Sequence, residues 1–359
     1  MCFMTKCPYV PPHEFDLDFP HLMLRARAIG FSRGKVGWID RAMANTDRNG
    51  KWARHFAPLV NWATARRNNA MRRLMEKVAD IHREAELPRF HRKTFTGQAP
   101  VDASQDTPTL DRKVVLFVTC FVNYNNPCIG EAAAAALTHN GVETAVMYPE
   151  CCGMPQLEHG DVEAVAGKAR KVAAMFAPWI DKGYKVIAPV PSCGLMLKSE
   201  WPRILPDDEA VTRLADATRD ICEYLVDIAR NEGLSGVLKP LPGGITLHLA
   251  CHARAQNIGA KAAELLRFIP ETPIEVIERC SGHGGSWGVK KENFEVALKV
   301  GRPVARKAAE ARMAHVASEC PLAGAHIAQG MGRLNDPSEE PVETWHPIEL
   351  FARACGVMD

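Results

Sequence analysis

Three cysteine-bearing segments occur twice in this chain, in the same order. Cys120, Cys151 and Cys193 are followed by Cys251, Cys280 and Cys320 at offsets of 131, 129 and 127. Their surroundings repeat as well. Val114-Val-Leu-Phe-Val-Thr-Cys120 parallels Ile245-Thr-Leu-His-Leu-Ala-Cys251, and Glu150-Cys-Cys-Gly153 parallels Arg279-Cys-Ser-Gly282. Pro191-Ser-Cys-Gly194 stands against Ser318-Glu-Cys-Pro321. Self-similarity at a long period restricts the chain to two copies of one supersecondary unit. We place them at 113–238 and 239–332.

Within the first copy, short apolar runs at Val114–Thr119, Thr144–Tyr148 and Val186–Val190 read as buried strands. Helical patterns lie between them, at Gly130–His139 and at Asp161–Asp181 with Asp161 as N-cap, and Ile204–Asn231 is mostly helix. The second copy offers strands at Thr246–Ala250, Ile274–Ile277 and His315–Ser318. Strands alternating with helices predict an α/β fold of two tandem parallel-sheet modules. All six repeated cysteines follow a strand, so they gather at the carboxyl edge, where such sheets bind ligands.

The chain has 359 residues with 44 Lys+Arg against 42 Asp+Glu. That near balance argues against a general affinity for nucleic acid. No apolar stretch is long enough to span a bilayer, and Met1–Pro12 lacks the apolar core of a secretory signal. We expect a cytoplasmic protein that meets the inner face of the membrane only through a partner. Twelve cysteines in such a protein point to metal ligands or redox centres rather than disulfides. Structural zinc commonly uses C-x(2–4)-C knuckles, and neither copy has a C-x-x-C. The adjacent Cys151-Cys152 pair suits a cluster of several metals better than one tetrahedral ion. Iron–sulfur is the favoured reading, with zinc and disulfides as rivals. Cys222 within a helix and Cys355 are read as small apolar core residues.

The pattern Cys120…Cys151-Cys152-Gly153…Cys193, then Cys251-His252…Cys280-Ser281-Gly282…Cys320, resembles the duplicated cysteine-rich CCG module. This module occurs in the B subunit of heterodisulfide reductase, the C subunit of anaerobic glycerol-3-phosphate dehydrogenase and the iron–sulfur subunits of glycolate and lactate oxidases. Pro191–Pro202, Cys251–Gln256 and His346–Arg353 are most similar to the glycerol-3-phosphate dehydrogenase C-subunit type. The resemblance implies bound iron–sulfur clusters, [4Fe-4S] in type, and a flavin dehydrogenase subunit or other redox protein as partner. It implies metal ligation by Cys120, Cys151, Cys152 and Cys193, and by Cys251, Cys280 and Cys320. Cys193 and Cys320 are single where the family often has C-x-x-C, and Ser281 stands where a second cysteine is usual. The second module therefore either holds a three-iron cluster or a four-iron cluster with one iron open on three thiolates, or gains a fourth ligand from His283 or Ser281, or is structural.

His252, Arg254 and His283 flank these cysteines. His252 hydrogen-bonds to cluster sulfur, relays protons, or packs at a helix start. Arg254 would offset thiolate charge. His283, in Gly282-His-Gly-Gly285, sits on a loop that permits close backbone approach. No dinucleotide fingerprint occurs, and no flavin or nicotinamide site is evident. Before the modules, Cys2 and Cys7-Pro8 look like the end of a ferredoxin motif, which suggests a true start further upstream. Residues 1–92 read as this partial motif plus helices at Asp18–Ile29, Arg33–Asn45 and Ala57–Ala85, the last basic and solvated. Residues 93–112 read as a linker, and 333–359 as a C-terminal tail. The function expected is electron transfer as a subunit or partner of a glycerol-3-phosphate or 2-hydroxy-acid dehydrogenase. The rivals are disulfide reduction at a cluster with an open iron, and a zinc-structured interaction module.

Overall fold

The computed structural model describes residues 7–10, 13–98, 110–334 and 342–358. Two parallel sheets form its frame. The first holds β1 (Lys113–Phe117), β2 (Glu143–Met147), β3 (Lys185–Ala188) and β4 (Thr218–Asp220) in the order β2-β1-β3-β4. The second holds β5 (Ile245–His248), β6 (Ile274–Ile277), β7 (His315–Ser318) and β8 (Thr344–Trp345) in the order β6-β5-β7-β8. The two orders are the same topology, so the cysteine repeat is a repeat of structure. The central strand of each sheet pairs on both sides: Val115 with Ala145 and Val186, and Leu247 with Val276 and Ala317.

Strand alternation sends successive side chains to opposite faces, and β1 uses both. Val114 and Leu116 enter one apolar cluster, with Ile129, Leu137 and Leu225; Val115 and Phe117 enter another, with Val172, Phe176 and Leu214. Helices Pro127–His139 and Ile221–Asn231 cover the first face, and helices Val162–Asp181 and Glu209–Ala217 the second. The first cluster does not stop at the module boundary. It continues through Ile245 and Leu247 of β5, Leu265 and Leu266, and Ile348, Leu350 and Phe351 of helix Pro347–Ala354. One core therefore welds the two copies together.

Asp161 caps its helix as expected, its side chain accepting from Ala164 N. Two strands escaped the pattern. β4 is three residues between two helices, and β8 is two residues, too short to carry a period. β8 and helix Pro347–Ala354 lie in the stretch read as a tail, and Ile348, Leu350, Phe351 and Ala352 there are fully buried.

The N-terminal region is helical, with different breaks. Helix Phe19–Ser32 is close to its expected range. The expected helix Arg33–Asn45 is replaced by Trp38–Ala44, because the chain turns at Gly34 in left-handed conformation, φ 72°. Thr46–Ala53 is a further helix that periodicity missed. The long helix expected over Ala57–Ala85 is two, Ala57–Thr64 and Asn69–Val78, with Ala65 extended and the Asn68 side chain accepting from Met71 N. The basic face expected to be solvated is so only in part. Arg72 is 1% exposed and donates to the carbonyls of His82, Arg83 and Ala85 at 2.6–2.9 Å. It ties down the irregular segment after the helix. Replacing Arg72 with Met is expected to cost about 2–4 kcal/mol in denaturant unfolding, because a charged donor to three carbonyls, that of Ala85 buried, is lost. Thr94 and Phe95, within the stretch read as a linker, are buried, and Phe95 lies against Gly130.

Candidate redox centre

In each sheet the chain leaves the central strand toward one neighbour and returns on the other side. Between β1 and β3 this opens the crevice where parallel sheets hold ligands. Three loops of the first module meet there. Cys120 opens helix Cys120–Tyr124 after β1, where Thr119 Oγ1 accepts from Val122 N at 3.1 Å. Cys151 and Cys152 follow β2. Cys193 lies in helix Pro191–Leu195 after β3.

The four thiols touch in series: Cys120 with Cys151, Cys151 with Cys152, and Cys152 with Cys193. None forms a disulfide. Cys151, Cys152 and Cys193 are buried, and Cys120 is half-buried. Hydrogen bonds from Cys120 and Cys152 hold the Cys151 thiol well below its ordinary range, while donating to Cys151 drives those two upward. Cys151 Sγ also accepts from Thr46 Oγ1 at 3.1 Å and Gly153 N at 3.4 Å. Cys151 is thus the sulfur around which donors of negative-charge stabilisation collect. Among the described residues, no group of three or more His, Cys, Asp or Glu surrounds a single ion position. The thiols are strung along the crevice.

A second layer fixes this loop. Asp47 accepts from Cys151 N at 3.0 Å, from the Tyr148 hydroxyl and from Lys168 Nζ at 2.9 Å. Lys168 also meets Glu150 at 3.0 Å. Burial pulls the Lys168 ammonium down, but Asp47 and Glu150 outweigh it and the net shift is upward. Trp201 Nε1 donates to Cys152 O at 3.1 Å. Thr46 and Asp47 reach the site because Gly50 lets helix Thr46–Ala53 close onto Tyr124; a Cβ there would lie 2.2 Å from the ring. None of these contacts was legible in the sequence, where Thr46-Asp47 resembles any helix start. Asp47→Ala is expected to cost about 2–4 kcal/mol, since it strips the Cys151 amide and half the partners of Lys168. Asp47→Asn, which keeps an acceptor, should cost less in the same unfolding measurement.

The second module places its cysteines alike. Cys251 opens helix Cys251–Ala255 after β5, Cys280 follows β6, and Cys320 is the N-cap of helix Pro321–Gly332 after β7. The loop geometry also repeats. Gly153 and Gly282 both take left-handed φ, 83° and 79°. Each donates its N–H to the cysteine two residues back at 3.4 Å. The third residue of the motif is therefore glycine because that turn aims an amide at sulfur. Here Cys280 is exposed and Cys251 and Cys320 half-buried. Burial raises the Cys320 thiol, while amides of Leu322 and Ala323 pull it down.

Glu319 Oε2 accepts from Ala250 N at 2.9 Å and braces the turn into Cys251. His252 follows Cys251 and is held down to about 4 by burial. Arg254 pairs with Glu278 at 3.5 Å, two residues before Cys280. His283 is not on a loose loop: it is half-buried with its Nε2 enclosed, and desolvation holds it down to about 4. The two cysteine edges approach one another. Gln256 Nε2 donates to Pro191 O at 3.1 Å, and Ser286 Oγ meets His159 Nε2 at 3.2 Å. Cys222 packs in the core and Cys355 against it, as read. Cys7 is half-buried in an N-terminal turn; Cys2 lies outside the described residues. No helix of the described residues is long and apolar enough to cross a membrane.

Comparison with known proteins agrees with this geometry. The cysteine-rich domain family CCG matches residues 114–198 and 245–328, each starting on a sheet's first strand. The C subunit of anaerobic glycerol-3-phosphate dehydrogenase from Escherichia coli K12 is 30% identical over 350 residues, 95% of this chain and 83% of that protein. Lactate utilization protein A from Bacillus pumilus is 32% identical over 189 residues, 50% of this chain and 75% of its own. That from Bacillus licheniformis is 28% identical over 250 residues, 67% and 98%. With two copies of the domain on two equivalent sheets, the chain belongs to the CCG cysteine-rich family that includes the C subunit of anaerobic glycerol-3-phosphate dehydrogenase.

Proposed function

We propose that this chain is an iron–sulfur electron-transfer subunit of a dehydrogenase whose substrate is oxidised elsewhere. The observation that carries the reading is the first crevice: four unbridged thiols strung together beneath amide and hydroxyl donors. A donor set of four thiolates suits a [4Fe-4S] cluster, whose irons each take one sulfur; the absence of convergence on one point favours it over zinc. Such a cluster would supply one-electron transfer. Cys120, Cys151, Cys152 and Cys193 would hold it, Gly153 N–H and Thr46 would stabilise thiolate charge, and Trp201 and the apolar wall would exclude water. Cys251, Cys280 and Cys320 would hold a second centre.

Relatives named as a glycerol-3-phosphate dehydrogenase subunit and as lactate utilization proteins support a partner that oxidises a phosphorylated polyol or a 2-hydroxy acid. We take that partner to be a flavin subunit, with the complex in the cytoplasm and held at the membrane through the partner. Exposed apolar side chains of the N-terminal region support a docked partner: Trp38 is 74% exposed and Trp52 67%, with Phe56, Leu59 and Trp62 also exposed. Exposed aromatics on this scale mark an interaction surface.

Anaerobic purification, with iron and acid-labile sulfide counted per chain, tests the reading. About four irons with equal sulfide would mean a loaded first module, and about seven or eight would mean both. Zinc without sulfide would end the electron-transfer reading.

A further inference from the structure

Behind the Cys280–Gly282 loop, two imidazoles share a cavity of about 70 Å³. His283 lies on the loop, and His326 lies on helix Pro321–Gly332 and is 7% exposed. Their ring centroids are 6.0 Å apart and the planes are inclined at 58°. Both Nε2 atoms are buried and have no hydrogen-bond partner. Leaving a buried polar atom unmet is costly, and here two stand beside one void.

The other polar walls are committed elsewhere. Glu86 pairs with Arg66 at 2.9 Å, and Gln329 bonds the backbone of Glu84 and Glu86. The rest is mainly apolar, including Phe121, Val289, Phe294 and Leu322, and no cysteine lines the cavity. His326 directs its other ring nitrogen at the Ala297 carbonyl. This leaves its Nε2 as a lone pair facing outward, the arrangement that orients metal-ligating histidines. Burial disfavours the charged form of both rings.

His326 Nε2 is therefore an acceptor, and neutral His283 can present a lone pair beside it, so one positive centre between them satisfies both. Metal–nitrogen bonds of about 2.0–2.1 Å put two imidazoles on one ion with centroids about 5.2 Å apart at the tetrahedral angle and about 6.4 Å apart when linear. The observed 6.0 Å lies between these, so the rings close by under about 1 Å on a tetrahedral ion, and the cavity has room for an ion with one or two waters.

We propose that His283 and His326 form a binding site for a borderline divalent cation of the zinc class, separate from the cysteine centre. Water from the cavity completes the shell. The ion pins helix Pro321–Gly332, which begins at Cys320, to the loop that carries Cys280.

The test uses the anaerobically purified full chain with its iron in place, incubated with zinc chloride and desalted. Elemental analysis should find about one zinc per chain, and zinc-edge X-ray absorption should show nitrogen or oxygen at about 2.0 Å rather than sulfur at about 2.3 Å. His326→Leu should lose that equivalent while iron and sulfide stay unchanged. His326→Gln, which keeps polarity and volume, should lose it too and serves as the folding control. No retained zinc in the unaltered chain, sulfur ligation, or a full zinc equivalent in both variants would overturn the site.

Discussion

Exchanging Cys151 for serine is expected to empty the first module of metal. Cys151 contacts both Cys120 and Cys152, and accepts from Thr46 and Gly153. A hydroxyl there remains protonated at neutral pH and is a poor ligand for iron, so the proposed cluster would lose its best-supported thiolate. Iron should fall by about four per chain relative to the parent protein, with parallel loss of the visible absorption and of the electron paramagnetic signal of the reduced protein. Cys222→Ser and Cys355→Ser are the controls. Cys222 is buried in the apolar core and Cys355 packs at its margin, so serine at either costs stability while the iron count holds. If Cys151→Ser keeps its iron, or Cys222→Ser loses as much, the proposed ligand set is wrong. Repeating the exchange at Cys280 asks the same of the second module, since the metal lost there is counted separately.

The second large effect is structural and asymmetric. Gly153 and Gly282 are equivalent by repeat and conformation, yet their neighbours differ. A Cβ on Gly282 would lie 2.1 Å from the Ala297 carbonyl oxygen and 2.8 Å from Gly301 N, both backbone of helix Phe294–Ala311. One on Gly153 would meet the Val165 side chain at 3.2 Å. Left-handed φ costs alanine about 1–2 kcal/mol at either site. Only at Gly282 must a helix also move. Gly282→Ala is expected to cost about 4 kcal/mol or more, and Gly153→Ala about 1–2 kcal/mol. Paired denaturant titrations decide it; equal losses would mean that helix Phe294–Ala311 yields easily and that the close packing behind the second loop carries little stability.

Where sequence reasoning succeeded, the signal was local or repeated. The strands Ile274–Ile277 and His315–Ser318 match their expected limits, because the repeat places each just before a marked cysteine, Cys280 or Cys320. Asp161 capped its helix because capping depends on neighbours three residues away. The six cysteines landed beyond strand ends because the repeat marked them. The misses share a different cause. β4 and β8 are too short to show a period and exist only through pairing with β3 and β7. Arg72 looks like one more basic residue on a helix face until the segment 82–85 folds back over it.

The sequence by itself determined that two like modules exist, that their sheets are parallel, and that sulfur collects at one edge of each. Those follow from periodicity, from the right-handed return of a strand–helix–strand unit, and from the position of each cysteine just past a strand. Only the tertiary structure decided what surrounds the sulfur. Thr46 and Asp47 reach Cys151 from more than a hundred residues away because Gly50 admits the Tyr124 ring. Helix Pro347–Ala354 seals the core of both modules from the far end of the chain. His283 and His326 meet across one cavity. Each depends on surfaces that become neighbours only after the modules have packed, and no pattern in a linear chain encodes which distant faces will fit.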